Sequence, residues 1–157
     1  MKFQQRPFLF MVTSYIPEAL RELVRRRANY RCEYCQTTEW LIGAEHEVDH
    51  IMPRSQGGAT DATNLCSACS SCNGNKRTSV SGVDLQTGER VALFHPRQQR
   101  WQEHFRWSSD GTQIIGLTPY GRATIEVLKL NHPLILVARS VWVSTGLHPP
   151  KLRSDTR

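Results

Sequence analysis

An α+β fold is what this sequence predicts, on three observations. Helical patterns opened by proline stand near both ends of the chain, at Pro17, at Thr118-Pro119 and at Pro133. Between them lie short β-rich runs separated by turn pairs, Thr87-Gly88 and Asp110-Gly111. Residues 30–77, finally, hold all five cysteines but few large apolar side chains, so side-chain packing alone cannot hold that stretch together.

Lys2 and Arg6 precede the apolar run Pro7 to Val12, which is shorter than a secretory core and is followed by no clear small-residue cleavage site; it reads as a first strand or an extended arm. Residues 17–28 read as a helix with Pro17 at its first position, Glu18 in the first turn and apolar residues at 20, 23 and 24. Arg25, Arg26 and Arg27 crowd its C-terminal end, where the macrodipole favours cations; a solvated helix end and contact with DNA phosphates both stay open. After the cysteine-rich segment, residues 83–93 form a hairpin turning near Thr87-Gly88, and residues 97–104 a helix. A second hairpin turns at Asp110-Gly111, joining Phe105-Arg106-Trp107 to Gln113-Ile114-Ile115. A helix then runs from Thr118-Pro119 to about residue 130, where Asn131 stops it, and another opens at Pro133 and ends before Gly146. The Pro149-Pro150 tail reads as frayed. The expected organisation is an N-terminal arm and helix over 1–29, a cysteine-pinned core over 30–80 and a C-terminal hairpin and helical extension over 81–157.

Twenty Lys plus Arg against fourteen Asp plus Glu give a net charge of +6, which suits a polyanionic partner such as nucleic acid. No stretch approaches the ~18 apolar residues a membrane helix needs, and neither end carries a lipidation pattern, so a cytoplasmic protein with no membrane partner is expected. In such a reducing compartment clustered cysteines are metal ligands rather than disulfide partners. Cys32-Glu33-Tyr34-Cys35 and Cys69-Ser70-Ser71-Cys72 each put two thiolates on one tight turn, and together they supply the four sulfurs that Zn²⁺ prefers. Thirty-three residues separate the pairs, longer than in a simple zinc ribbon, so the intervening chain forms a unit of its own. Cys66 adjoins Leu65 and reads as a small buried apolar residue, which leaves Cys69 with Cys72 as the second pair.

Inside that unit Glu45-His46-Glu47-Val48-Asp49-His50-Ile51-Met52-Pro53 sets an acid beside a histidine at the end of a short strand-like run. The order Asp49-His50-Ile51-x-Pro53-x-Ser55-x-Gly57-Gly58, then Asn64-Leu65, then Cys69-x-x-Cys72-Asn73-x-x-Lys76, closely resembles the HNH endonuclease family over about residues 28–78. The resemblance implies a zinc-stabilised ββα-metal core with a C-terminal α/β extension, and a metal-dependent DNA endonuclease acting on double-stranded DNA, with a protein partner or a homodimer open. By position, His50 is implied as the general base, Asp49 and Asn73 as holders of a catalytic Mg²⁺ or Mn²⁺, and Asn64 as the residue that orders the loop. Asn73 stands where the last histidine of the family's name would be, which keeps an oxygen ligand and favours hard cations. Independently, a neutral imidazole accepts a proton at neutral pH, and one carboxylate with one amide leaves Mg²⁺ room for water and phosphate oxygens. Arg54, Lys76 and Arg77 are candidate phosphate contacts, with a solvated basic surface as the plainer alternative. Gly57 and Gly58 read as a tight loop needing positive φ.

Two other classes compete. His46-Glu47-Val48-Asp49-His50 satisfies H-E-x-x-H, the zinc-protease pattern, but that motif needs a sustained helix, and Gly43 and Pro53 stand close on either side. A non-catalytic zinc-stabilised DNA-binding module would leave Asp49, His50 and Asn73 incidental.

Overall fold

The computed structural model describes residues 15–151 of the chain, and the apolar run at 7–12, expected as a strand or arm, lies outside the described residues. Helix α1 (Glu18–Arg27) follows Pro17, whose extended backbone (φ −55, ψ 142) makes it the capping residue rather than the first helical one. Ile16 and Val24 are buried together with Leu65, and Leu20 and Val48 pack against them, which seats α1 on the strand pair behind it. The arginines at its end separate. Arg25 makes a two-pronged pair with Glu39 at 2.8 Å on each arm, and Arg27 donates to the carbonyls of Ala62 at 2.6 Å and Leu65 at 2.5 Å. Arg25 is thus an internal tie rather than a solvated end; Arg26, paired with Glu22 on its own helix, and Arg27, despite its bonds to the backbone, stay exposed.

Residues 30–38 form a knuckle that places Cys32 and Cys35 and closes through an Arg31–Thr38 bridge. A single turn, α2 (Glu39–Ile42), unmarked in the sequence, ends at Gly43 in the left-handed conformation (φ 65). Strand β1 (Glu47–His50) pairs antiparallel with β2 (Leu65–Ala68), in the register Glu47↔Ala68, Val48↔Ser67, Asp49↔Cys66 and His50↔Leu65. Helix α3 (Ser70–Lys76) follows β2 directly and lies against both strands.

The second half adds two further hairpins and two longer helices. Strand β3 (Ser81–Val83) pairs with β4 (Arg90–Ala92), and β5 (Phe105–Trp107) with β6 (Ile114–Gly116), each antiparallel and each turning where the glycine pairs predict. The expected helix over 97–104 shrinks to one turn, α4 (Trp101–His104). Before it, side chains take over the backbone groups a helix would use: the His95 amide donates to Gln99 Oε1 at 2.7 Å, and the Arg97 amide to His95 Nδ1 at 3.2 Å. Helix α5 (Pro119–Leu128) is capped by Thr118, whose hydroxyl accepts from the Gly121 amide, and ends with Lys129 in the left-handed region. Asn131 is therefore not its stop. Its carboxamide instead pairs with the peptide of Ile114, accepting from N at 2.9 Å and donating to O at 2.8 Å, so it imitates one more residue of strand beside β6. Helix α6 (Pro133–Ser144) closes the fold. The tail is docked rather than frayed: His148 is buried edge-on to Trp107 at 4.4 Å, and the Lys151 carbonyl accepts from Arg31 Nη1 at 3.1 Å.

Helix α5 lies against β3, β4 and β6 and touches α3, and Arg122 on it holds the buried Asp84 at the start of the β3–β4 turn through two 2.8 Å bonds. One apolar core runs from Cys32, Tyr34, Ile51 and Cys66 through Phe94, Trp101 and Phe105 to Leu128 and Leu130. The cysteine-rich segment thus borrows the packing it lacks from the C-terminal half. Mixed helices and small antiparallel sheets make the molecule α+β, as the sequence predicts. No helix among the described residues is long and apolar enough to cross a membrane.

Candidate functional site

The two knuckles meet. The sulfurs of Cys32, Cys35, Cys69 and Cys72 all lie within 4.8 Å of one another and all four residues are buried, whereas Cys66 stands apart. Four sulfurs at the ~2.3 Å typical of zinc form a tetrahedron whose edges are about 3.8 Å. Cys35 Sγ and Cys69 Sγ are 3.8 Å apart, so this edge already has the length the ion requires. Each knuckle also turns a backbone amide onto its leading sulfur, Cys35 N on Cys32 Sγ and Cys72 N on Cys69 Sγ, both at 3.5 Å. Those amides would stabilise thiolate charge. The donor set therefore fits a tetrahedral zinc ion. Cys66 is fully buried, donates to the Tyr34 hydroxyl at 3.5 Å, and has its pKa pushed by burial up to about 12, which keeps it a neutral packing group.

Alternation along β1 sends Glu47 and Asp49 to one face, and α3 lays Asn73 and Lys76, one turn apart, against that face. Asn73 Nδ2 donates to Glu47 Oε2, which orients the amide and leaves its Oδ1 as the remaining acceptor. Lys76 Nζ sits 2.8 Å from Asp49 Oδ2 and donates to the His50 carbonyl at 2.9 Å. Burial pushes the Asp49 carboxyl above its usual range, against the opposing pull of Lys76. Glu47, Asp49 and Asn73 supply only oxygen donors beside one another, the type a hard divalent cation takes, and the Glu47–Asn73 end is the more open one. Asp49 is meanwhile partly neutralised by an ammonium group.

His50 projects to the opposite side, where its Nε2 lies 2.8 Å from Thr60 Oγ1. Burial pushes its pKa below 6.5, and the cations of Arg54 and Lys76 push it further the same way, so the ring is neutral at ordinary pH despite the neighbouring Asp49. If the Thr60 hydroxyl accepts from Nε2–H, Nδ1 is the basic nitrogen. The loop between β1 and β2 is clamped by Asn64. Its Oδ1 accepts from Met52 N at 2.9 Å, and its Nδ2 donates to Met52 O at 2.9 Å and to Ala59 O at 2.8 Å. Gly57 has the positive φ expected of the loop (88°), but Gly58 is needed for a different reason: a Cβ there would stand 1.8 Å from the Met52 carbonyl oxygen and 2.8 Å from Asn64 Nδ2.

The sequence-derived residues thus fall into three groups. Asp49 and Asn73 come to one face, His50 and Asn64 to the adjoining loop, and the four cysteines to a separate centre at the start of α3. Arg54 and Arg77 are exposed, as phosphate contacts must be. Lys76 is not: it is 2% exposed and bound to Asp49 and the His50 backbone, which corrects its reading as a DNA contact. His46 is buried just before β1, 3.4 Å from Ser67 Oγ. Because β1 is a strand, four residues span about 13 Å rather than one helical turn, and the H-E-x-x-H zinc-protease reading fails on geometry. Sequence reasoning missed Glu47 and Thr60, although alternation alone would have put Glu47 on the face of Asp49.

Residues 32–79 match the family model described as HNH endonuclease, so the resemblance read from the motifs is shown over that segment. No curated protein and no solved structure matches the chain. The matched segment contains both the cysteine centre and the β1–α3 face, and it supports a nuclease or DNA-binding activity.

Proposed function

We propose that this protein is a metal-dependent DNA endonuclease that hydrolyses phosphodiester bonds, with His50 as general base. The observation that carries the reading is the division of labour at the end of β1. Asp49 turns toward α3, the helix that carries Asn73, and is held there by Lys76, while the adjacent His50 turns toward the loop with its imidazole held neutral. In this reading His50 takes a proton from water as the oxygen attacks phosphorus, and the bond to the 3′ oxygen breaks, that oxygen taking a proton from a second water, leaving 5′-phosphate and 3′-hydroxyl ends. Asp49 and Asn73 would hold a Mg²⁺ or Mn²⁺ ion, with Glu47 adding a second carboxylate at the Asn73 end. Such an ion would stabilise charge on the scissile phosphate and the departing oxygen. Cys32, Cys35, Cys69 and Cys72 would hold structural Zn²⁺, and Arg54 and Arg77 would contact the phosphates of double-stranded DNA.

The Lys76–Asp49 pair favours a second reading, a zinc-stabilised DNA-binding module without catalysis, because it neutralises the carboxylate a catalytic cation needs. Nicking of supercoiled plasmid by the purified protein in Mg²⁺ or Mn²⁺, with chelator and His50→Ala controls, separates the two. Metal-dependent nicking abolished in a His50→Ala protein that keeps its fold and zinc is the expected result. DNA binding without nicking in either metal, unchanged by His50→Ala, would replace the nuclease with the binding module.

A further inference from the structure

Arg139 lies in the middle of α6 and is the one helix residue there whose side chain is turned fully inward, 0% exposed, while Leu134, Val137 and Val141 face out. A helix that buries its only charge and exposes its aliphatic residues inverts the usual pattern, and a guanidinium cannot shed its charge to relieve the cost. Its protein partners are neutral: Nη1 donates to the Thr112 carbonyl at 3.0 Å and to Asn131 Oδ1 at 3.3 Å, and the group lies 5.2 Å from the Trp107 ring centroid. Nε and Nη2 have no hydrogen-bond partner, and no carboxylate pairs with the residue, among the described residues. Buried charges persist when something of opposite sign compensates them.

Arg139 lines one cavity of about 670 Å³ with Cys35, Cys69 and Cys72. Four thiolates around Zn²⁺ carry a net charge of about −2. We propose that Arg139 is the counter-charge of the zinc–tetrathiolate centre, a positioning residue through which the C-terminal helix and the zinc knuckles stabilise each other. Burial lowers the Arg139 pKa, and all four cysteines oppose that shift, which places the whole sulfur set within electrostatic reach. The role explains why the inverted helix docks by its charge. It rests on the zinc reading of the cysteine centre.

The test begins with zinc content of the native full-length protein. Absence of zinc removes the reading on which the proposal stands, and is distinct from the outcomes that follow. With zinc present, chelator competition is measured for native protein, Arg139→Met and Arg139→Lys, together with the thiolate-to-metal charge-transfer band of the cobalt-substituted proteins. Loss of an outer-sphere partner typically weakens metal binding 10- to 100-fold. Arg139→Met is expected to fall in that range with its band moved to longer wavelength, while Arg139→Lys holds zinc within about threefold of native, its charge being kept. Native zinc affinity and an unshifted band in Arg139→Met, whatever its melting temperature, overturn the proposal. Should Arg139→Met fail to fold, Arg139→Lys decides: retained affinity supports the counter-charge, and a folded Lys variant that loses zinc affinity 10-fold or more overturns it.

Discussion

Replacing Lys76 by methionine removes the ammonium group and keeps most of the aliphatic stem, so the variant isolates the charge. Lys76 is 2% exposed and the Asp49 side chain 12%, so the carboxylate left behind is largely cut off from water. Removing one partner of a buried pair typically costs about 3–5 kcal/mol. The hydrogen bond to the His50 carbonyl is lost as well, but Asp49, its pKa already raised by burial, can take up a proton and relieve part of the cost. The lower end, about 3 kcal/mol, is therefore expected, which for a chain of this size lowers the melting temperature by roughly 10 °C. The deficit should shrink as the pH falls from 7 toward 4, because protonating Asp49 removes the uncompensated charge, and Lys76→Met combined with Asp49→Asn should recover most of the loss. Calorimetry supplies the stability. DNA affinity measured against salt supplies the contrast, since each phosphate contact adds about 0.9 to the slope. Lys76→Met should leave that slope unchanged; Arg77→Ala should lower it by about 0.9 without changing the melting temperature. A Lys76→Met protein that melts within about 2 °C of native and loses one unit of salt slope would show that Lys76 faces DNA and that the buried pair is wrong.

Asn64→Ala removes three side-chain hydrogen bonds, each worth about 1 kcal/mol net. The Met52 amide should exchange with solvent at least 10-fold faster, and unchanged protection there would show that Asn64 does not hold the loop. Burial holds the pKa values of His50, His95 and His104 below 6.5 and that of His148 at about 4. Below pH 6.5 the unfolded chain therefore binds protons that the folded chain refuses, so stability is full above that value and declines as the pH falls toward 4. Denaturant unfolding at pH 7.5 and 5.5, with zinc content followed at each, should show the loss, and His148→Phe should reduce it; equal stability at both values with zinc retained would contradict the buried, neutral histidines.

What could be read from the sequence was whatever spacing dictates. The C-x-x-C pairs specify their knuckles, Asp110-Gly111 specifies its hairpin, and Thr118-Pro119 specifies the start of α5, because each depends on neighbours in the chain. Lys76 was illegible for the opposite reason. A lysine in a polar turn looks solvated until the register of β1 and the pitch of α3 put Asp49 opposite it. The same holds for Arg25, which resembles part of a basic surface and is tied to Glu39. Asn131 looked like a helix stop because asparagine favours left-handed backbone, but Lys129 takes that conformation first and frees Asn131 to pair with Ile114.

The clustered sulfurs tie residue 32 to residue 72, and everything that forms the candidate reaction centre lies between them or one turn beyond. During synthesis, ribosomes release the chain from its N-terminus, so the first knuckle must wait for Cys72 before its partner sulfurs exist. Until then β1, β2 and the loop around His50 lack both α3 and the closed sulfur cluster that pin them. On the proposed reading, a chain that captured zinc only at that point would mature in a single step, and a shortage of the metal would hold the site back at birth rather than inhibit a finished one.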